Sequence, residues 1–313
     1  MIFQTLFHIC EEGLCFKWRR VMAIYEIENE KIKLKVDSCG AEMKSLVKKE
    51  TGTEYLWNGD PAYWQRTSPI LFPLVGRLFN NTYRAKGNTY TMPQHGFARD
   101  MEFALLEKKE SEIWFSLKDT EETRKNYPYT FELQIGYLLQ KANIKVMWKV
   151  RNEQEEILPF AIGGHPAFLC PALCPDCKDT FYLKFDCDKL RATKLQGPYV
   201  LPETYEEVSL DHGMLLIDDK AIFANDTLMV EHDQAHEISI CDAQKKELVT
   251  LRTQAPLFAV WSPEGKRAPF ICIEPWYGRC DSLDYAGDVT QREWENLLEK
   301  GQEFYAEYEI CIG

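Results

Sequence analysis

Three segments far apart in the chain carry side chains able to move protons: Gln94-His95-Gly96-Phe97-Ala98-Arg99, Gly163-Gly164-His165-Pro166 and Ile273-Glu274-Pro275-Trp276. Together they supply two imidazoles and one carboxylate. Each ionisable group interrupts an apolar or turn-forming stretch, where it must be paired or have its pKa moved, and this is how general acids and bases are made. Gly96 follows His95 and lets the backbone approach a ligand closely, Pro166 fixes the chain after His165, and Pro275 is expected to stop the strand that ends at Glu274. Taken singly, each residue is as readily a hydrogen-bonded turn histidine or a solvated glutamate. His8, His212, His232 and His236 lie in less specific surroundings and read as surface residues, as do Asp211, Asp218 and Asp219.

The scaffold that must hold these groups is legible as strands. Lys31 to Val36 alternates strictly between polar and apolar residues, and Ile144, Val146, Trp148 and Val150 alternate with Lys145, Met147, Lys149 and Arg151. Such a period of two describes strands with one wet face. Further strands are expected at 113–117, 131–139, 181–187, 228–231, 237–241, 247–252, 257–261, 269–273 and 303–311. Only 119–126 and 291–300 read as helices, the second from Trp294, Leu297 and Leu298 on one face and a stop at Gly301. Many strands without a βαβ rhythm predict an all-β fold, a large antiparallel β-sandwich with few short helices. The three polar segments then fall at strand ends, where sandwich proteins place ligand sites.

Composition narrows the partners. The chain has 313 residues, 45% of them hydrophobic and 13% aromatic, enough for a large core, and its formal net charge of -12 argues against nucleic-acid and anionic-membrane partners. Eleven cysteines, an odd number at irregular spacing, point to a reducing and hence cytoplasmic setting. Cys187, Cys241, Cys272 and Cys311 sit in apolar runs as small hydrophobes. The cluster Cys170, Cys174, Cys177 and Cys187 approaches zinc spacing but is read as an unliganded loop, the metal being the minor alternative. Residues 1–22 read as a leader outside the fold, an appendage or a misassigned start, and 23–313 as one domain. The apolar run near the N-terminus has no preceding positive charge and is too short to span a membrane.

The order Gly76-Arg77, His-Gly-Phe-Ala-Arg at 95–99, Gly-Gly-His-Pro at 163–166 and Ile-Glu-Pro-Trp at 273–276 resembles the aldose 1-epimerase (galactose mutarotase-like) family. In detail it is similar to the branch found beside bacterial lactose-operon genes, over about residues 24 to 313. The resemblance implies a supersandwich fold and interconversion of the α and β anomers of a free aldohexose, without cofactor or metal. It assigns Glu274 as general base, His165 as general acid and His95 as a second donor to the sugar. Arg77 and Asp226 match residues that bind sugar hydroxyls. Trp64, Phe97, Trp261 and Trp276 could stack on a pyranose, or could equally be core. The Phe97-Ala98-Arg99 continuation is similar to hexose-6-phosphate mutarotases of the same superfamily, in which Arg66, Arg77 and Arg99 would hold a phosphate. Galactose mutarotases carry Asn-Arg and Leu-His-Gly-Gly where this chain has Gly76-Arg77 and Gln94-His95-Gly96.

Three alternatives stay open. The substrate is a hexose 6-phosphate, the protein is a non-catalytic sugar binder, or the two histidines and the carboxylate hold a metal as a facial triad. The expected partner is a small-molecule sugar, with a homodimer as the only protein assembly considered.

Overall fold

The computed structural model describes residues 23–170, 179–217, 223 and 227–313. The expectations for the leader, the cysteine loop between Cys170 and Asp179, and Asp226 lie outside the described residues, as do His8, Asp218 and Asp219.

Two large antiparallel sheets are present. The nine-stranded sheet runs in the order Met214–Leu216, Tyr182–Phe185, Glu237–Cys241, Glu247–Thr253, Glu303–Ile312, Asn143–Arg151, Glu132–Gln140, Glu112–Lys118 and Ala104–Lys108. The eight-stranded sheet runs Tyr199–Ser209, Lys189–Gln196, Thr227–Glu231, Leu257–Trp261, Phe270–Tyr277, Ile162–Gly164 and Ile70–Leu71, with Ala167–Leu169 also paired to Phe270–Tyr277. The strands expected from alternation form, including the run at 144–150. There Ile144, Val146, Trp148 and Val150 are fully buried while Lys145, Lys149 and Arg151 stay half-buried on the other face. Each buried aliphatic side chain of this kind contributes about 1.5–3 kcal/mol.

One continuous core joins the sheets, and the Phe185 and Phe258 rings stack across it with centroids 5.9 Å apart. Alternation on the eight-stranded sheet divides core from site. Ile271, Ile273, Phe258, Val260, Leu228 and Val230 enter the core between the sheets. Their neighbours Cys272, Trp276, Leu257, Ala259 and Met229 belong to separate apolar clusters on the opposite face. Glu274 falls on that second face by the same period of two.

The helix expected at 119–126 forms as Glu121–Asn126, with Thr120 and Thr123 exchanging side-chain and backbone hydrogen bonds in a capping box. The helix expected at 291–300 does not form. A 3-10 turn at Val289–Gln291 is followed by a strand at Asn296–Leu298 that pairs with Leu158–Phe160. Its polar residues are committed elsewhere: Arg292 bonds Asp281, and Asn296 donates to the carbonyls of Phe160 and Tyr277. Trp294 adopts a positive φ of 62°, which a helix forbids. Pro275 does not end its strand, which continues to Tyr277. Pairs on its Gly163 side skip from Gly163↔Trp276 to Ala167↔Cys272, so a missing N–H costs little at this interruption. Among the described residues no helix is long and apolar enough to cross a membrane.

Candidate active site

A cavity of about 680 Å³ opens over the outer face of the eight-stranded sheet, with Thr227, Met229, Trp261, Glu274 and Trp276 contributed by its strands. Glu274 and His165 meet there because of register. Gly163↔Trp276 and Ala167↔Cys272 belong to one unshifted antiparallel pairing, which sets His165 directly opposite Glu274 in the unpaired gap between them. Opposed residues of an antiparallel pair have Cβ atoms about 5 Å apart. The side chains close that distance, and His165 Nε2 lies 3.3 Å from Glu274 Oε1. Gly163 is required for this approach, since a Cβ there would meet the Trp276 ring at 2.6 Å.

His95 enters from a different direction. It adopts a φ of +65°, strained for a residue with a Cβ, and its backbone N–H donates to the Gly76 carbonyl at 2.8 Å. Gly96 follows at φ +70°, where a Cβ would stand 2.2 Å from the Phe72 carbonyl oxygen. The Gly76 N–H donates to His95 Nδ1 at 3.1 Å, so the neutral ring carries its proton on Nε2. Gln94 Nε2 lies 3.3 Å from that nitrogen, while Gln94 Oε1 accepts from Arg77 Nη2 at 3.0 Å. Two donors thus stand side by side at the cavity, ready for one acceptor oxygen.

Of the residues expected at the site, Glu274, His165, His95, Arg77, Arg99 and Trp276 all line the cavity, with Arg66, Trp64 and Trp261. Phe97 does not: its ring packs with Tyr127 and Phe131 beside the core. His212 and His232 are exposed, and His236 lies by the Thr253 carbonyl. Gln94 is a site residue that sequence reasoning quoted without giving it a role. Its position before His95 was the available signal.

The sequence profile of the aldose 1-epimerase family matches residues 23–311. The chain belongs to the aldose 1-epimerase family. The chromosomal protein LacX of Lactococcus lactis subsp. lactis is 32% identical over 280 residues, 83% of this chain and 89% of LacX, and the plasmid form matches equally. This agrees with the lactose-operon branch expected from the motifs. The crystal structure of a galactose mutarotase related enzyme from Lactobacillus acidophilus superposes with a TM-score of 0.87 at 33% identity, covering 93% of this chain and 97% of that one. A galactose mutarotase-like protein from Lactobacillus casei gives 0.84 at 28% identity, covering 93% and 100%. As a member of this family the protein is an isomerase with a mutarotase-like sandwich fold.

The electrostatics of this epimerase-family site are set by burial. Burial pulls the His165 imidazolium down to about 3, with Arg99 and Arg66 adding to the effect. His95 is held well below 6.5, first by burial and then by His165 and Arg99, Arg66 and Arg77. Both rings are therefore neutral in the free protein at pH 7. Trp64 stacks on His165 at 4.7 Å and Trp261 meets its edge at 5.5 Å. An indole face attracts a cation, so charge forming on His165 is stabilised from one side by Trp64 and from another by Glu274.

Arginines line the cavity beside the histidines. Arg66 and Arg99 both approach Asp100, at 2.9 and 3.9 Å, and Arg99 Nη2 donates to the Gln94 carbonyl at 2.6 Å. Burial, then Arg66, draws Arg99 down to about 10. Arg77 Nε, Arg99 Nε, His165 Nδ1 and Trp276 Nε1 are buried without a protein partner.

The facial triad of His95, His165 and Glu274 is not the metal-ligand set the geometry offers. Among the described residues the grouped ligand atoms are those of His165, Cys272 and Glu274. His95 does not belong to that group; its Nδ1 accepts from the Gly76 N–H and its ring stands edge-on to His165 at 5.6 Å. For proton transfer no ion is needed. A carboxylate and an imidazole in contact, beside a donor pair and an aromatic wall, can remove a proton from one oxygen of a bound sugar while delivering one to another.

Proposed function

We propose that the chain interconverts the α and β anomers of a free aldohexose by general acid–base catalysis. The observation that carries the reading is the His165–Glu274 contact at 3.3 Å, both residues buried and both facing the cavity. Glu274 takes the proton of the anomeric hydroxyl as the C1–O5 bond breaks, and His165, neutral in the free protein at pH 7, first takes up a proton from solvent and then gives it as an imidazolium to O5. The open-chain aldehyde rotates about C1–C2. His165 then recovers the proton from the O5 hydroxyl as it attacks C1, and Glu274 returns its proton to the new anomeric oxygen. Atoms and charges balance over the cycle, and no cofactor takes part.

The low pKa of His165 makes its imidazolium a strong acid toward the weakly basic ring oxygen and also makes that imidazolium a minor form at pH 7. His95 Nε2–H donates to the sugar and helps polarise the ring oxygen. Arg77 orients hydroxyls, and Trp276 with Trp64 and Trp261 supplies apolar ring surface. Asp226 keeps its proposed role in binding hydroxyls from the family pattern alone.

The arginines favour a second reading, a hexose 6-phosphate. In a chain of net charge -12, Arg66, Arg77 and Arg99 gather at one cavity, and among the described residues Arg77 has no carboxylate partner. An anionic group would satisfy the buried Nε atoms of Arg77 and Arg99.

NMR exchange between the anomers of glucose, galactose and glucose 6-phosphate, with and without protein, tests both. Accelerated exchange supports the reaction, and the ratio of kcat/KM values ranks the substrates. Saturable sugar binding with no acceleration would leave a carbohydrate-binding protein instead.

A further inference from the structure

We infer that His165, Cys272 and Glu274 form a binding site for a thiophilic divalent cation such as Zn²⁺, and that the bound ion shuts off anomerisation. Cys272 and Glu274 are two residues apart on the strand Phe270–Tyr277 and so share a face, and the pairing register sets His165 across from them. Each residue offers one ligand atom, and the three atoms lie within 4.8 Å of one another. The separation of His165 Nε2 and Glu274 Oε1, 3.3 Å, is already that of two ligands about 2.0–2.2 Å from a tetrahedral zinc. The thiol has to close by little more than about 1 Å to complete a third corner, given a Zn–S bond of about 2.3 Å.

The donor set selects the ion. One thiolate, one imidazole and one carboxylate match zinc or cadmium, whereas magnesium and calcium call for oxygen donors throughout. Cys272 is fully buried in an apolar cluster with Trp57, Ala167, Ala268 and Phe270, so the sulfur side of the site is dry. His165 and Glu274 line the cavity, which leaves the fourth position open to water. On binding, the Cys272 S–H proton leaves to solvent, and a neutral His165 coordinates through Nε2 with its proton on Nδ1.

The bound ion occupies the lone pairs that acid–base catalysis uses, so metal and sugar chemistry exclude each other at the same atoms. The loss of activity rests on the proposed anomerisation, but the binding does not. Two readouts keep the two apart.

The full-length protein, stripped with EDTA and kept reduced, is titrated with Cd²⁺ while the ultraviolet thiolate-to-cadmium charge-transfer band is followed. Its anomerisation rate is measured in parallel against Zn²⁺. Wild type should show one more thiolate's worth of band than Cys272→Ser, which subtracts the other cysteines. Zinc should stop the wild-type enzyme reversibly, EDTA restoring it. In Cys272→Ser the zinc concentration needed for half-inhibition, relative to that variant's own metal-free rate, should rise by more than about 100-fold. Cys272→Ala serves equally should the serine variant not fold. Identical cadmium bands and identical zinc inhibition in wild type and variant overturn the site. Absence of anomerisation in metal-free wild type, with the extra cadmium band present, overturns the proposed reaction and leaves the metal site standing.

Discussion

Two buried polar clusters lie close together in this fold, and they differ in how completely they satisfy themselves. In the first, Arg279 pairs with Glu231 at 2.7 Å and with Glu293, while its Nη1 donates to the Cys280 carbonyl. Arg292 pairs with Asp281 at 2.7 Å and with Glu295, and donates to the Arg279 carbonyl. Asp281 accepts from the Phe79 N–H and Glu231 from Thr193. The guanidinium and carboxylate groups are matched by protein. In the cavity, by contrast, buried nitrogens of Arg77, Arg99, His165 and Trp276 have no protein partner. Leaving such groups unmatched costs roughly 1–3 kcal/mol each. Those four residues line the cavity, where the hydroxyls of the proposed sugar can pair with them. The clusters also touch, since the Asp281 N–H donates to the Arg77 carbonyl at 3.0 Å. The closed one is a frame for the open one.

If this division of labour is right, damage to the two clusters should appear in different measurements. The largest effect belongs to the open site. Glu274→Gln keeps the shape, removes the base, and should slow anomer exchange by about 10²- to 10⁴-fold in NMR while leaving the unfolding midpoint nearly unchanged. A folded variant with wild-type exchange would remove Glu274 from the chemistry. In the closed cluster Arg292→Met leaves Asp281 and Glu295 as buried acids without their cation, and should cost about 3–5 kcal/mol in urea unfolding. A stable Arg292→Met protein would show that the network frames nothing.

The sequence announced these clusters unequally. Strands such as 144–150 were readable because alternation of apolar and charged residues is a local signal. The three site segments were readable as motifs expected to share one site, but how they meet was not: the register that puts His165 across from Glu274 is a long-range pairing with no local mark. Cys272 looked like a small apolar strand residue, and although its spacing of two from Glu274 put both on one face, only the register brings His165 to the pair. The closed cluster was missed altogether. Trp294, Leu297 and Leu298 have helical spacing, yet Arg292, Glu295 and Asn296 spend their polar groups on tertiary partners instead. The hairpin Lys189–Gln196 and Tyr199–Ser209 escaped because Pro202 and a run of glutamates blur its alternation and a bulge at Thr193/Leu195 shifts its phase.

Acid sharpens the contrast, because the clusters should respond to pH with opposite sign. His165 titrates at about 3 in the folded protein and near 6.5 when unfolded, so between those values the unfolded chain holds the extra proton. Its contribution to stability is complete above pH 6.5 and is lost as pH falls toward 3, at about 1.4 kcal/mol per unit. Glu295 is raised to about 7, by burial and against the pull of Arg292, so from 4.5 to 7 the folded state holds the extra proton. Stability from that group is present below 4.5 and is lost as pH rises through 7. Urea unfolding across pH 4 to 7 should therefore show His165→Asn gaining on wild type as pH falls, and Glu295→Gln gaining on wild type as pH rises. Parallel curves for either variant would mean that its group is not held as the structure indicates.

The smallest effect separates the two substrates. Arg99 donates through Nη2 to the Gln94 carbonyl, while its Nε makes no hydrogen bond to protein and has Asp100 Oδ2 only at 3.9 Å. A neutral sugar can offer it one hydroxyl, while a phosphate offers charged oxygens, and a hydrogen bond to a charged group is worth about twice a neutral one. Arg99→Ala should then reduce kcat/KM for glucose 6-phosphate by about tenfold or more, and for glucose by only a few-fold. Added salt should narrow the difference, since the cavity is open to water and part of the attraction is screened. Equal losses on both sugars would mean that Arg99 serves the neutral ring, and that the three arginines answer the buried polar surface of the cavity rather than an anion.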